Sequence, residues 1–174
     1  AGADRAARFV RTCDAFGVPV VTLVDTPGPA EAAGEAAATA RLLHAYAAAT
    51  VPLVTVLTGQ VHGPASLALG SRHVGADHVI AWPRARIALR DPLEVAAALH
   101  DATPRTDPAD AEERWYRDLA RLEELATPAA ALAAGDVDAV VAVADTRERL
   151  TGALRLLQRK AGDPPARKHA NPPW

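Results

Sequence analysis

The chain has no methionine and a single cysteine, Cys13, among its 174 residues. One thiol closes no internal disulfide, so a reducing cytoplasm is the expected compartment. A chain without Met is expected to be processed at its start or cut from something longer. Lysine is scarce, with two residues against 17 arginines, and the net charge is −2. That balance suggests neither a nucleic-acid surface nor a polybasic membrane patch. No apolar run approaches the roughly 18 residues that span a bilayer, and the N-terminus does not read as a secretory signal.

What is present is small and apolar. The hydrophobic fraction is 49%, which excludes a disordered chain. The 42 alanines supply about half of it, while Leu, Ile, Val and Phe together number 38. That is close to the lower limit for an independent core. Small residues suit close helix-on-sheet packing or burial against a partner, so an oligomer is expected.

Periodicity divides the chain into alternating helices and strands. Ala6, Phe9, Val10, Cys13 and Phe16 recur at helical spacing and predict one apolar face of a helix over residues 5–16. Residues 18–24 and 51–58 are apolar runs that predict strands buried on both faces, as in a parallel sheet. A long alanine-rich helix over 30–49 separates them, with Leu42, Leu43 and Tyr46 at its core-facing edge. Loops follow each strand, at 26–29 and 59–63, and a short helix is predicted over 64–70.

Beyond these come short strands at 78–82 and 85–89, a helix over 92–100, and a proline- and aspartate-rich linker at 101–110. A charged helix over 111–126, a shorter one from Pro128 and a buried strand over 137–143 follow. Asp145 or Thr146 is expected to cap a last helix reaching about residue 161. Residues 1–161 read as one α/β domain and residues 162–174 as a proline-rich basic tail.

Ligands of parallel sheets bind outside the carboxyl ends of strands, where both loops fall. The second loop enters a helix N-terminus at Pro64-Ala65, where free backbone N–H groups can stabilise a developing negative charge, although an ordinary helix start with Pro in its first turn explains the same residues. His62 can pair with Asp25 for acid–base work, or be a solvated loop histidine. Ser66 lacks the glycine spacing of a nucleophile elbow. Gly59 to Gly63 is no Walker loop, and the six histidines show no metal-ligand spacing.

Collinear motifs carry the reading further. The opening helix Arg5-Ala6-Ala7-Arg8-Phe9-Val10-Arg11-Thr12-Cys13-Asp14-Ala15-Phe16, then Val24-Asp25-Thr26-Pro27-Gly28, Gly70-Ser71-Arg72-His73-Val74-Gly75-Ala76-Asp77 and Ala134-Gly135-Asp136-Val137-Asp138 appear in order. So does Lys168-His169-Ala170-Asn171-Pro172-Pro173 near the end. Together they resemble the C-terminal domain of the carboxyltransferase (β) subunit of biotin-dependent acyl-CoA carboxylases, of the propionyl-CoA and acetyl-CoA type.

The resemblance implies a crotonase-like spiral of ββα units that carries the biotin side of an active site. It implies carboxybiotin on a carrier protein as cofactor. The implied partners are an acyl-CoA-binding chain like the family's N-terminal half and a biotin carrier or biotin carboxylase subunit. The family's loop motif Tyr-Gly-Gly-Ala-Tyr-Asp falls on His62-Gly63-Pro64-Ala65-Ser66-Leu67. Gly63, Pro64 and Ala65 are thus implied as the oxyanion loop, with Asp25, Pro27, Gly28, His62, Ser66 and Leu67 around the substrate.

Three departures mark the site. Pro64 has no N–H, which leaves Ala65 as the surviving donor. Leu67 replaces the family's aspartate. The segment between Gly28 and Arg41 is about five residues shorter than usual in the family. The resulting readings are a partner-dependent carboxyltransferase, a non-catalytic paralogue that keeps its assembly surfaces, or a biotin-independent crotonase-like decarboxylase subunit.

Overall fold

A computed structural model describes residues 2–26, 35–63, 67–102 and 108–160. Helix α1 (Gly2–Ala15) precedes strand β1 (Val20–Thr26), and α2 (Glu35–Ala48) leads to β2 (Leu53–His62). Strands β3 (His78–Ala81) and β4 (Arg86–Ala88) follow, then α3 (Pro92–Ala102), α4 (Pro108–Leu125) and α5 (Pro128–Ala134). A two-residue strand β5 (Ala139–Val140) and α6 (Thr146–Leu157) complete the described chain. The strands pair in the order β1-β2-β3-β5, and β4 pairs with the far end of β2. Every pairing is parallel.

Small residues set the first layer. Ala7, Val10 and Cys13 are the buried residues of α1 and pack with Leu42, Ala45 and Tyr46 of α2. Phe9 and Phe16, expected on that face, are 62% and 79% exposed. The reason is geometric: Ala7, Val10 and Cys13, spaced three apart, make the face of α1 turned to α2, and Phe9 falls beside that face. Asp4 of α1 and Arg41 of α2 tie the two helices at 2.7 Å. Asp14 accepts from the N–H groups of Thr50 and Val51 at 2.6 and 3.2 Å, which fixes the approach to β2.

Strand β1 is not buried on both faces. Val20 and Val24 face the interior, but Val21 and Leu23 are exposed on the other side. Strand β1 lies at one end of the described sheet, whereas Val56 and Ile80, in β2 and β3, pack in one cluster with Leu150 of α6. Strand β2 also runs four residues beyond its expected end, through the anticipated loop at 59–63. Pairing of Gln60, Val61 and His62 with Arg86, Ile87 and Ala88 of β4 extends it.

The expected strand at 137–143 shrinks to Ala139–Val140, and Val143–Asp145 forms a 3-10 turn. Asp145 makes no side-chain cap to α6. The Thr146 hydroxyl instead accepts the Trp82 indole N–H at 2.9 Å. Asp101 and Ala102 of the expected linker belong to α3, and helix resumes at Pro108; residues 103–107 lie outside the described residues. The first turns of the helix expected at 30–49 and the tail at 162–174 also lie outside them.

Candidate functional site

Parallel pairing brings the ends of β1 and β2 together, with an irregularity that shapes the site. Val24 pairs with Leu57, yet Thr26 pairs with Val61. Asp25 alone therefore stands opposite three residues, a bulge in β2. The Asp25 carboxylate accepts the Gln60 N–H at 2.8 Å, and the Thr58 hydroxyl donates to the Val24 carbonyl at 3.1 Å. Gly59 between them leaves room for that carboxylate, because a Cβ there would overlap it.

His62 ends β2 and is buried, at 5% exposure, not a solvated loop residue. Its Nδ1 lies 3.5 Å from Oδ2 of Asp91. The anticipated Asp25–His62 pair is not formed, because the bulge turns Asp25 onto the Gln60 main chain. Asp91 also caps α3, its Oδ1 accepting the Leu93 N–H at 2.8 Å. Sequence reasoning missed Asp91, although Asp followed by Pro92 is a legible helix start.

Gly63 follows with φ at +64°, a left-handed turn that suits glycine. Pro64, Ala65 and Ser66 lie outside the described residues, as do Pro27 and Gly28. Leu67, also expected at the site, is helical and lines a cavity of about 670 Å³. Apolar side chains at the ends of the strands, Val24 and Val61 among them, form one wall. Leu122 and Leu125 of α4 and Val95 of α3 also line it. The volume lies within the usual range for small-molecule sites. Asp25 and His62 are not among the lining residues described.

The charged lining residues include Arg72, His73 and Asp136, and sequence reasoning did not place them at the site. Their partners are local. Arg72 pairs with Asp138, and His73 Nε2 lies 2.9 Å from Asp136. Asp138 also accepts the Val79 N–H at 2.7 Å and faces His78 at 3.4 Å. Burial first, then Arg72 and Arg149, hold the His78 imidazole below its ordinary pKa. Among the described residues, no cluster of three His, Cys, Asp or Glu is placed to hold a metal. Nor is any described helix long and apolar enough to cross a membrane.

This is an α/β domain with parallel strands and an apolar cavity at their carboxyl ends, and its fold is crotonase-like. Residues 1–172 match the carboxyl transferase domain, and the chain belongs to that family. The propionyl-CoA carboxylase beta chain of Saccharopolyspora erythraea is 43% identical over 98% of this chain and 33% of its own length. The methylmalonyl-CoA decarboxylase alpha subunit of Propionigenium modestum is 37% identical over 98% of this chain and 34% of its own. Among solved structures, the transcarboxylase 12S hexamer with hydrolysed methylmalonyl-coenzyme A superposes with a TM-score of 0.87. That match has 35% identity and covers 97% of this chain and 33% of the other. The chain thus spans about a third of the length of the curated relatives it matches, corresponding to their C-terminal part.

Proposed function

We propose that the chain is the biotin-side half of an acyl-CoA carboxylase-like carboxyltransferase. It transfers a carboxyl group from carboxybiotin to an acyl-CoA, together with a partner chain that supplies the acyl-CoA site. The observation that carries the reading is the apolar cavity at the carboxyl ends of β1 and β2, walled by Leu67 of the matched loop. The relatives span a carboxylase, a decarboxylase and a transcarboxylase, and all handle the carboxyl group of an acyl-CoA or take part in its transfer by name.

The cavity is lined mostly by apolar side chains and is large enough for a small bicyclic ring, which fits biotin delivered on a carrier. Biotin supplies the activated carboxyl group. Of the loop residues the resemblance implies, Ala65 would offer the surviving backbone N–H to the biotin oxygen, since Pro64 has none. Leu67 and Val61 would present apolar surface to the ring. The partners are a biotin carrier and an acyl-CoA-binding chain. The oligomer expected from the small-residue helices is part of the same reading, consistent with the hexamer named for the transcarboxylase relative.

The test is reconstitution. The chain is mixed with a candidate acyl-CoA-binding half and a labelled carboxybiotin carrier, and label transferred to propionyl-CoA is counted. Transfer by the mixture, with none by the chain alone, supports the reading. Robust turnover by the chain alone means the acyl-CoA site is built here, and the split-site reading fails.

One specific feature favours a second reading, the non-catalytic paralogue. Leu67 stands in the cavity wall where the resemblance places an aspartate, and it neither accepts nor donates a proton. Sustained complex formation without transfer, to any acyl-CoA, would select it. The third reading, a biotin-independent crotonase-like decarboxylase subunit, predicts loss of carbon dioxide from a malonyl-type thioester without biotin.

A further inference from the structure

His62 is among the most buried polar residues described, and its two ring nitrogens are treated differently. Nδ1 faces the Asp91 carboxylate at 3.5 Å. Nε2 is buried and has no hydrogen-bond partner among the described residues. A carboxylate facing one ring nitrogen favours the proton on that nitrogen and leaves the other as a bare acceptor. Asp91 is itself oriented, since its other oxygen takes the Leu93 N–H in the first turn of α3. The pair therefore joins the last residue of β2 to the start of a helix that walls the cavity through Pro92 and Val95.

Immediately after His62 comes the left-handed turn at Gly63, the entrance to the candidate oxyanion positions. We propose that His62 is a positioning residue: Asp91 holds it as the Nδ1–H tautomer, and the pair fixes the Gly63 turn relative to α3. What the turn serves rests on the carboxyltransferase reading. The tautomer and the tie are properties of the free chain.

The discriminating variant is Asp91→Asn. Asparagine caps helices about as well as aspartate. With its oxygen kept on the Leu93 N–H, however, its amide group presents a donor to His62. The opposite rotamer would set two donors against each other at the cap. The variant should therefore fold normally and move the imidazole proton from Nδ1 to Nε2. Long-range nitrogen–proton NMR correlations of the free chain read both tautomers directly.

The expected results are Nδ1–H in the wild type, Nε2–H in Asp91→Asn, and faster amide exchange at Gly63 in His62→Phe. A wild-type Nε2–H tautomer overturns the proposal, as does an unchanged tautomer in a folded Asp91→Asn chain. Unchanged Gly63 exchange in a folded His62→Phe chain also overturns it. In a reconstituted complex that transfers carboxyl, Asp91→Asn should lower kcat about 10- to 100-fold with little change in KM. An unchanged kcat there removes the positioning role while leaving the carboxyltransferase reading intact. A wild-type complex without transfer defeats that reading, and the NMR and exchange results still decide this one.

Discussion

Asp25 and Gly59 face each other across the β1–β2 pair, and the carboxylate occupies the space that any side chain at position 59 would need. The same carboxylate accepts the Gln60 N–H and so holds the bulge that reshapes the end of β2. Gly59→Ala should therefore expel Asp25 and lower stability by about 1–3 kcal/mol. Asp25→Ala opens the space but removes the acceptor. In a double-mutant cycle, Gly59→Ala should be less damaging in the Asp25→Ala background, with a coupling of at least about 0.5 kcal/mol. Additive effects in denaturant unfolding would mean that the two positions do not share one space.

The ends of the sheet show how far the sequence could be read. The alternation of helices and strands was legible because apolar runs and helical spacings are local. The extension of β2 through Gly59 to His62 was not, since it depends on β4 arriving from more than twenty residues away. For the same reason Asp25 and His62, adjacent strand-end candidates, part company. The bulge claims one, and the cap of α3 claims the other. Of the resemblance-based site, Leu67 reaches the cavity. Pro27, Gly28 and Pro64 to Ser66 lie outside the described residues. The exposure of Phe9 and Phe16 has another cause: spacing identifies a face but not which face a close-packed neighbour can admit.

Tyr46 and Thr22 make a second test, at alkaline pH. The Tyr46 hydroxyl lies 2.9 Å from the Thr22 hydroxyl beneath α2. Burial raises the Tyr46 phenol above its ordinary pKa, opposed by the Thr22 hydrogen bond. A group whose folded pKa is raised contributes stability below its unfolded value. That contribution is lost as pH rises from about 10 through the folded value. Ultraviolet titration should show one tyrosine ionising late and together with unfolding. Tyr46→Phe should lose about 1 kcal/mol at neutral pH and weaken the alkaline loss. A late-titrating tyrosine that persists in that variant would assign the effect elsewhere.

His78 gives the opposite dependence. Its pKa is lowered by burial and by Arg72 and Arg149, so the fold prefers the neutral imidazole. Its contribution is full above the unfolded value near about 6.5. It falls as the pH drops through the lower folded value, because the unfolded chain then binds the extra proton. Denaturant midpoints should decline with acidification in that window, before the carboxylates titrate. His78→Gln should flatten the decline. An undiminished slope in the variant would point to another histidine.

The last prediction concerns the loop where the sequence departs from the family it belongs to. Leu67 is 41% exposed and lines the cavity, so an aspartate there keeps access to solvent while facing the bound group. Pro64 offers no N–H to an oxyanion, but its fixed φ suits a first helical turn. Pro64→Gly should lower stability by about 0.4–1 kcal/mol, since glycine enlarges the unfolded ensemble. In the reconstituted complex the same change should raise carboxyl transfer by up to about 10²-fold, the value of one oxyanion donor. Leu67→Asp in the Pro64→Gly background should raise it further. Both effects are read as label transferred from carboxybiotin to acyl-CoA, with circular dichroism confirming that each variant is folded. If folded variants gain no transfer although the complex assembles, neither the missing donor nor the missing aspartate limits the chemistry. The shortened segment after Gly28 then becomes the leading cause, and the non-catalytic reading displaces the enzymatic one.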